Sequence, residues 1–236
     1  SMPDEELFEL ARKGNLRENL EPQVVRMMDD KRFKNFIGNF AGQWLHSRDI
    51  LGVNINDYDV WLREHPDPIL RQARAEYQML REIPELVRTP EEQEAYDSAR
   101  AIVVESNEIE RPDWSGPLRR AMKEETEKYF EYVIRKDTSV LEFLESDYAF
   151  LNELLAKHYN IDGVKGSKIR KIQLERGSPR GGILTQGTIL AFTSNPTRTS
   201  PVKRGVFILE NILGTPPAPP PPNVPALEDA ASENEV

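Results

Sequence analysis

The stretch PLRRAMKEETEKYFEYVIRK, residues 117–136, decides the fold predicted for this chain. Its apolar residues recur at the spacing of one helix face, and its Lys and Glu residues fill the other face. The residues of the inner face are Leu118, Met122, Thr126, Tyr129, Phe130 and Val133. A long helix with such a face needs other elements to cover it, so we predict a mainly α-helical protein.

Upstream and downstream segments supply further helices, which together predict a multi-helix bundle. Residues 31–46 place Phe33, Phe36, Ile37, Phe40, Ala41, Trp44 and Leu45 on one wide aromatic face. We expect this face to be buried and the segment to form the core helix of the N-terminal half. Prolines at the expected helix boundaries predict helices over 68–82 and 90–105. The remaining predicted helices are a first one capped by Ser1 and stopped by Gly14, and others over 22–29, 140–144 and 150–159.

After Gly163 the chain becomes rich in short strands and turns. SKIRKIQLE (167–175) alternates as a half-exposed strand does, and RGSPRGG (176–182) has turn composition. Ile183 to Phe192 is a short apolar element of either type. A last helix opens with Ser200 as N-cap and Pro201 at its first position, and it stops at Gly214. The following TPPAPPPPNVP favours polyproline II, and an acidic tail ends the sequence.

Composition excludes several classes of protein. The 236 residues contain no cysteine, so disulfides, thiol nucleophiles, Cys-ligated metals and a C-x-x-C-H haem attachment are excluded within them. A net charge of −9 argues against general nucleic-acid binding. The longest apolar run, Val206 to Leu213, is interrupted by Glu210 and Asn211 and is too short to span a membrane. The first ten residues lack the basic and apolar regions of a signal peptide.

The basic residues are concentrated in one stretch. Between Lys165 and Arg204 there are nine Lys and Arg residues and one acid, Glu175. Such a stretch steers an anionic ligand, or else it pairs with acidic helices of the same protein. Both interpretations remain open from the sequence.

The segment TSNPTRTSPVKRG, residues 193–205, is the main candidate site. Hydroxyl and cationic side chains surround the N-terminus of the predicted last helix, where unpaired N–H groups and the helix dipole favour an anion. The candidate anion-binding residues are Arg180, Thr197, Arg198, Thr199, Ser200, Lys203 and Arg204. The alternative is a structural junction, in which the hydroxyls cap the helix and the arginines bond to buried carbonyl groups.

Other candidates have equally plain structural explanations. The glycines of RGSPRGG form either a backbone nest for an anion or an ordinary turn. His158 is a candidate haem ligand or acid–base group, or a packed histidine near a helix end. Glu124, Glu127 and Glu131 lie along one helix and are either catalytic carboxylates or a solvated face. The three histidines have no metal-binding spacing, so no metal site is predicted.

Long motifs of the chain resemble a pair of adjoining domains of unknown function. The motifs are SMPDEELFELARKGNL (1–16), FIGNFAGQWLHSRDI (36–50), RRAMKEETEKYFEYVIRKDTSVLEFLESDY (119–148), SDYAFLNELLAKHYNI (146–161) and RGGILTQGTILAFTSNPTRTSPVKRGVFILENILGTPPAPPPPNVP (180–225). Such domains occur in large exported proteins of planctomycetes and related bacteria, commonly beside c-type cytochrome segments. The chain departs from their pattern with a longer helical insertion at about 62–112.

The resemblance implies a helical domain over 1–160 with that insertion, a basic loop-rich domain over 161–214, and a linker with an acidic tail over 215–236. It implies an extracytoplasmic location, a polysaccharide-degradation context and a partner cytochrome c domain whose haem lies outside this chain. We therefore expect a non-catalytic or cofactor-supporting module, whose basic loop holds a haem propionate or an acidic sugar, or locks the two domains together. The alternatives are an enzyme domain acting on anionic polysaccharide and a module that docks an acidic protein.

Overall fold

The computed structural model describes residues 3–106 and 114–218, and this part of the chain is mainly helical, as predicted. The helices are α1 (Glu5–Arg12), α2 (Leu20–Asp29), α3 (Phe33–Trp44), α4 (Asp57–Glu64), α5 (Pro68–Arg81), α6 (Pro90–Ser106), α7 (Gly116–Lys136), α8 (Glu153–His158), α9 (Gly187–Phe192) and α10 (Pro201–Phe207). The strands are β1 (Tyr148–Leu151), β2 (Arg170–Gln173), β3 (Ser194–Asn195) and β4 (Arg198–Thr199). Short 3-10 helices lie at Asp49–Gly52, Glu85–Val87, Val140–Phe143 and Ile183–Thr185, and a π-helix at Ile208–Ile212 extends α10.

Helix α7 is the centre of the fold. All six residues of its predicted inner face are buried, and the helix contacts α3, β1, α8 and α9. Thr126 on α7 donates a hydrogen bond to Gln186 Oε1 (2.8 Å) and Thr188 donates one to the carbonyl of Met122 (2.9 Å). Because these groups are buried, their mutual bonding fixes α9 against α7.

The core runs across the boundary predicted at residues 160 and 161. Ile37, Phe130 and Leu155 from the first part belong to the same buried cluster as Ile183 and Ile189 from the second. Two short antiparallel pairs add β-structure. β1 pairs with β2, with Tyr148 opposite Gln173 and Leu151 opposite Arg170, and β3 pairs with β4 in a hairpin. The division into domains itself stays a prediction.

The region around 62–112 contributes a helical hairpin of α5 and α6. The two helices pack mainly on each other, with Leu70, Ala73, Leu80 and Ala99 buried between or beneath them. None of these four residues belongs to the main core cluster. The prolines Pro68 and Pro90 open the two helices, as the sequence predicted.

Three local predictions need correction or lie outside the described residues. Ser1 is not described, and Asp4 caps α1 by accepting a hydrogen bond from the Leu7 N–H (3.2 Å). Phe150 and Leu151 form part of β1 rather than a helix, because Asn152 caps α8 only after them. Residues 140–143 form a 3-10 helix. In the described part of the chain, no helix combines the length and apolarity needed to cross a bilayer.

Candidate functional site

A pocket of about 520 Å³ lies where α4, α7, α8 and α9 meet, and we call it the junction pocket. Its apolar surface includes Trp61, Trp114, Leu118, Met122 and Leu190. Its polar and charged lining residues are Asp57, Glu64, His65, His158, Tyr159, Arg180 and Ser194. This volume and this mixture of aromatic and charged side chains are typical of a small-molecule site.

Arg180 enters the pocket from the RGSPRGG segment and is fixed by two contacts. Its guanidinium carbon lies 3.6 Å from the centre of the Tyr159 ring, and Nη1 donates to the carbonyl of Thr185 (2.9 Å). Stacking and one hydrogen bond hold the planar group while other N–H donors of the guanidinium keep the capacity to bind a ligand. Arg180 is therefore a preorganised cation at the pocket wall.

A buried carboxyl group lies behind Tyr159. The Tyr159 hydroxyl is 2.7 Å from Glu125 Oε2 and accepts a hydrogen bond from the Gly187 N–H (2.6 Å). Burial raises the pKa of Glu125 to about 8, although the Tyr159 hydrogen bond and the Arg180 charge act to lower it. Burial also raises the pKa of Tyr159 well above its ordinary value. Burial therefore favours the protonated, uncharged form of both groups, and a protonated Glu125 does not neutralise Arg180.

His158 stands at the pocket rim, where it is exposed on one side. Partial desolvation and the positive charge of Arg180 lower the pKa of its imidazole. A neutral imidazole beside a fixed cation can accept a proton or a hydrogen bond from a ligand. The structure thus brings together two of the predicted site residues, Arg180 and His158.

The glycines next to Arg180 have a structural role. The Gly181 N–H donates to Thr185 Oγ1 (2.9 Å) and the Gly182 N–H donates to Ser146 Oγ (3.2 Å). Because side-chain hydroxyls already occupy these donors, they do not form the open nest that an anion requires. The turn interpretation of RGSPRGG fits this geometry.

The predicted basic loop forms the β3–β4 hairpin and the start of α10. At its tip, the carbonyl of Pro196 accepts from the Asn56 N–H (2.7 Å) and that of Thr197 accepts from Arg63 Nη2 (2.7 Å). These bonds join the hairpin to α4, one wall of the junction pocket. Ser200 caps α10 as predicted, by accepting from the Lys203 N–H (3.3 Å).

The cations of this hairpin differ in their surroundings. Lys203 bonds to Asn195, and Arg204 makes a long contact with Thr193 Oγ1 (3.4 Å). Arg198 and Thr199 are exposed on β4, and among residues 3–106 and 114–218 no hydrogen bond or ion pair engages the Arg198 guanidinium. Arg180 lines the junction pocket, whereas Arg198, Lys203 and Arg204 do not. Anion binding by this hairpin stays a prediction.

This difference between the arginines yields a stability prediction. We expect Arg198→Ala to change the free energy of unfolding by less than about 0.5 kcal/mol, since the side chain is exposed and unbonded. Arg63→Ala removes a bond between segments 134 residues apart and should cost about 0.5–1.5 kcal/mol. Urea denaturation of both variants measures this. If Arg198→Ala lowers the free energy of unfolding more than Arg63→Ala does, Arg198 is instead a structural residue.

Other candidates from the sequence lie apart from the pocket. Glu127 pairs with Lys123, and Glu131 pairs with Lys128 and Arg135, as on a solvated helix face. Glu124 is exposed. Within the described ranges, no group of three or more His, Asp or Glu residues is arranged to hold a metal ion.

The fold and the pocket define a mainly α-helical module of two adjoining regions. The chain belongs to the PSD4 family, described as a protein of unknown function (DUF1592), whose model matches residues 1–95 and 93–161. Residues 180–236 match PSCyt3, also described as a protein of unknown function (DUF1588). The predicted pair of adjoining domains of unknown function is thereby confirmed. No curated protein and no solved structure matches the chain.

The two family regions build the junction pocket together. Trp61, Met122 and His158 lie within the PSD4 match, and Arg180 and Leu190 lie within the PSCyt3 match. The pocket is therefore lined by residues of both family regions.

Proposed function

We propose that this chain is the ligand-binding part of a larger extracytoplasmic protein associated with a c-type cytochrome, and that the junction pocket holds the ligand. The name PSCyt3 and the resemblance to exported cytochrome-associated proteins support the context. The absence of cysteine means that any covalently attached haem of the C-x-x-C-H type belongs to a part of the protein other than these 236 residues.

The single observation that carries the binding proposal is the fixed Arg180 in a pocket with aromatic walls. A guanidinium whose position is set before binding pays little conformational entropy when it pairs with a carboxylate or sulfate. Trp61, which stacks on His65 with ring centres 4.8 Å apart, and Trp114 contribute aromatic surface to the pocket. Asp57 and Glu64 can accept hydroxyl hydrogen bonds. The ligand class that fits this set is an acidic sugar.

Binding predicts a stabilisation that depends on Arg180. A uronate oligosaccharide at about 100 times its Kd should raise the stability of the protein by about 2.7 kcal/mol, or roughly 5–10 °C in Tm. Arg180→Met, which keeps an unbranched apolar stem and removes the charge, should abolish that shift. Thermal unfolding with galacturonate oligomers, sulfate and haem, each at low and high salt, measures it.

Arg198→Ala is the matched control, because it removes a cation outside the pocket. A ligand-induced rise in Tm that is retained in Arg198→Ala and lost in Arg180→Met supports binding in the junction pocket. A shift lost only in Arg198→Ala would move the site to the β3–β4 hairpin. If no compound shifts the wild type, the acidic-sugar proposal is wrong.

An enzyme acting on acidic polysaccharide is the second candidate, and the geometry of His158 favours it. A neutral imidazole next to a carboxylate-binding arginine is suited to take a proton from the bound sugar. The test compares product formation from polygalacturonate by the wild type and by His158→Gln. Catalysis by His158 predicts product from the wild type and much less from the variant. Binding retained by both proteins with no product from either would exclude catalysis on this substrate.

A further inference from the structure

One side of α3 carries a row of aromatic side chains that is only half covered. The row consists of Phe33, Phe36, Phe40 and Trp44, with successive ring centres 5.5, 5.6 and 5.8 Å apart. Phe36 and Phe40 contact Phe130 of α7, yet they remain 37% and 46% exposed, so the burial predicted for this face is wrong at these two residues. At its Phe33 end, the row reaches a groove of about 370 Å³, which Leu7, Val24 and Met27 line together with Phe33 and Phe36. Exposed aromatic surface of this extent is typical of a binding face.

The end of the described chain lies beside this row. Trp44 Nε1 donates to the carbonyl of Asn211 (2.7 Å), and the Asn211 side-chain amide donates to the carbonyl of Trp44 (2.9 Å). Gly214 then takes a left-handed conformation (φ 62°), and the Thr215 N–H bonds back to the carbonyl of Leu209 (2.8 Å). The helix therefore ends within three residues of Asn211, and the next residues begin the sequence TPPAPPPPNVP.

We propose that the proline-rich segment of this chain, Pro216 to Pro225, docks along the aromatic row of α3. Proline-rich segments in polyproline II bind aromatic-lined grooves, because their conformation is already restricted and their rings pack on flat side chains. The chemistry of the row and the composition of the segment thus match.

Length and position also fit this occupant. Ten residues in polyproline II extend about 31 Å. The helix distance from Trp44 to Phe33 is about 17 Å. The segment is therefore long enough to pass Phe40 and Phe36 and reach the groove between α1, α2 and α3. Because it begins five residues after Asn211, which bonds to Trp44, docking is intramolecular and needs little intrinsic affinity.

A photo-cross-linking experiment on the full chain tests the proposal. A benzophenone amino acid replaces Phe40, and mass spectrometry maps the peptides joined after irradiation. The expected product is a monomer in which position 40 is linked to residues 216–225. Substituting Pro219→Gly, Pro220→Ser, Pro221→Gly and Pro222→Ser together should lower its yield roughly tenfold, because the segment loses its preorganised conformation.

The matched control places the same photo-reactive group at Val202, which is 64% exposed on α10. Val202 is about 17 Å along the helix from Leu213, within reach of a ten-residue tail, so a freely moving tail would cross-link at position 202 as well as at position 40. Equal tail cross-linking at positions 40 and 202 overturns the proposal. So does a product at dimer mass that joins position 40 to a second copy, or the absence of any tail product. Circular dichroism of each variant confirms that the fold is retained, and position 36 serves if Phe40 does not tolerate the replacement.

Discussion

Gly182→Ala is expected to destabilise the protein more than Arg63→Ala, Arg198→Ala or Gly177→Ala. Gly182 has a φ of 70°, and a Cβ at this position would lie 2.3 Å from the carbonyl oxygen of Leu144 and 2.5 Å from its carbonyl carbon. These are backbone atoms, which cannot move aside as a flexible side chain can. Strain from the left-handed conformation and from the overlap together should cost about 3–5 kcal/mol, or roughly 10 °C in Tm. Scanning calorimetry measures the loss.

Gly177→Ala is the control for this substitution. Gly177 also has a positive φ (83°), but a Cβ there would meet no atom within 4 Å. Its expected cost is therefore only the conformational part, about 1–2 kcal/mol. Equal losses in the two variants would mean that the close contact with Leu144 does not constrain the loop. Since Gly182 lies two residues from Arg180, Gly182→Ala should also abolish any ligand shift that depends on Arg180.

The helices could be predicted from the sequence because their signals are local. The apolar face of α7, the prolines that open α5, α6 and α10, and the Ser200 cap all act within one or two turns. β1 was missed because its four residues are all buried and show no alternation. Its identity as a strand depends on pairing with Arg170 to Gln173, a contact that the spacing of residues does not reveal.

The junction pocket could be predicted only in part. Arg180 and His158 were candidates because each has distinctive chemistry, but what joins them is their common contact with Tyr159, which depends on the packing of α8 against the turn before α9. Trp61 and Trp114 were missed because the region around them gave only a coarse helical pattern. Glu125 was missed although its position gave a signal. It lies three residues after Met122 and four before Tyr129, on the buried face, where an acid requires an explanation.

The burial of Glu125 predicts a stability that falls as pH rises. The folded protein holds the carboxyl proton up to a pKa of about 8, whereas the unfolded chain releases it near the ordinary value of 4.5. Between these two values the folded state binds more protons than the unfolded state, so the free energy of unfolding decreases with increasing pH. The contribution is fully present below about pH 4.5 and is lost through pH 8, with a total on the order of 3–5 kcal/mol.

Glu125→Gln isolates this contribution, because an amide resembles the protonated carboxyl group in shape and does not titrate. We expect the variant and the wild type to have similar stability near pH 4.5, and the variant to become progressively more stable than the wild type up to pH 8. Urea denaturation at a series of pH values measures the free energy of unfolding of both proteins. Subtracting one value from the other cancels the effect of the titrating groups that the two proteins share.

The neighbouring exposed residue supplies the control. Glu124→Gln removes the same charge from the same helix without changing the buried network, so its stability difference from wild type should vary little over this pH range. If the stability difference between Glu125→Gln and the wild type also varies little with pH, Glu125 is ionised in the folded protein and pairs with Arg180. That result would also remove the free cation on which ligand binding in the junction pocket depends. The pH series therefore tests the electrostatic basis of the binding proposal without requiring that the ligand be known.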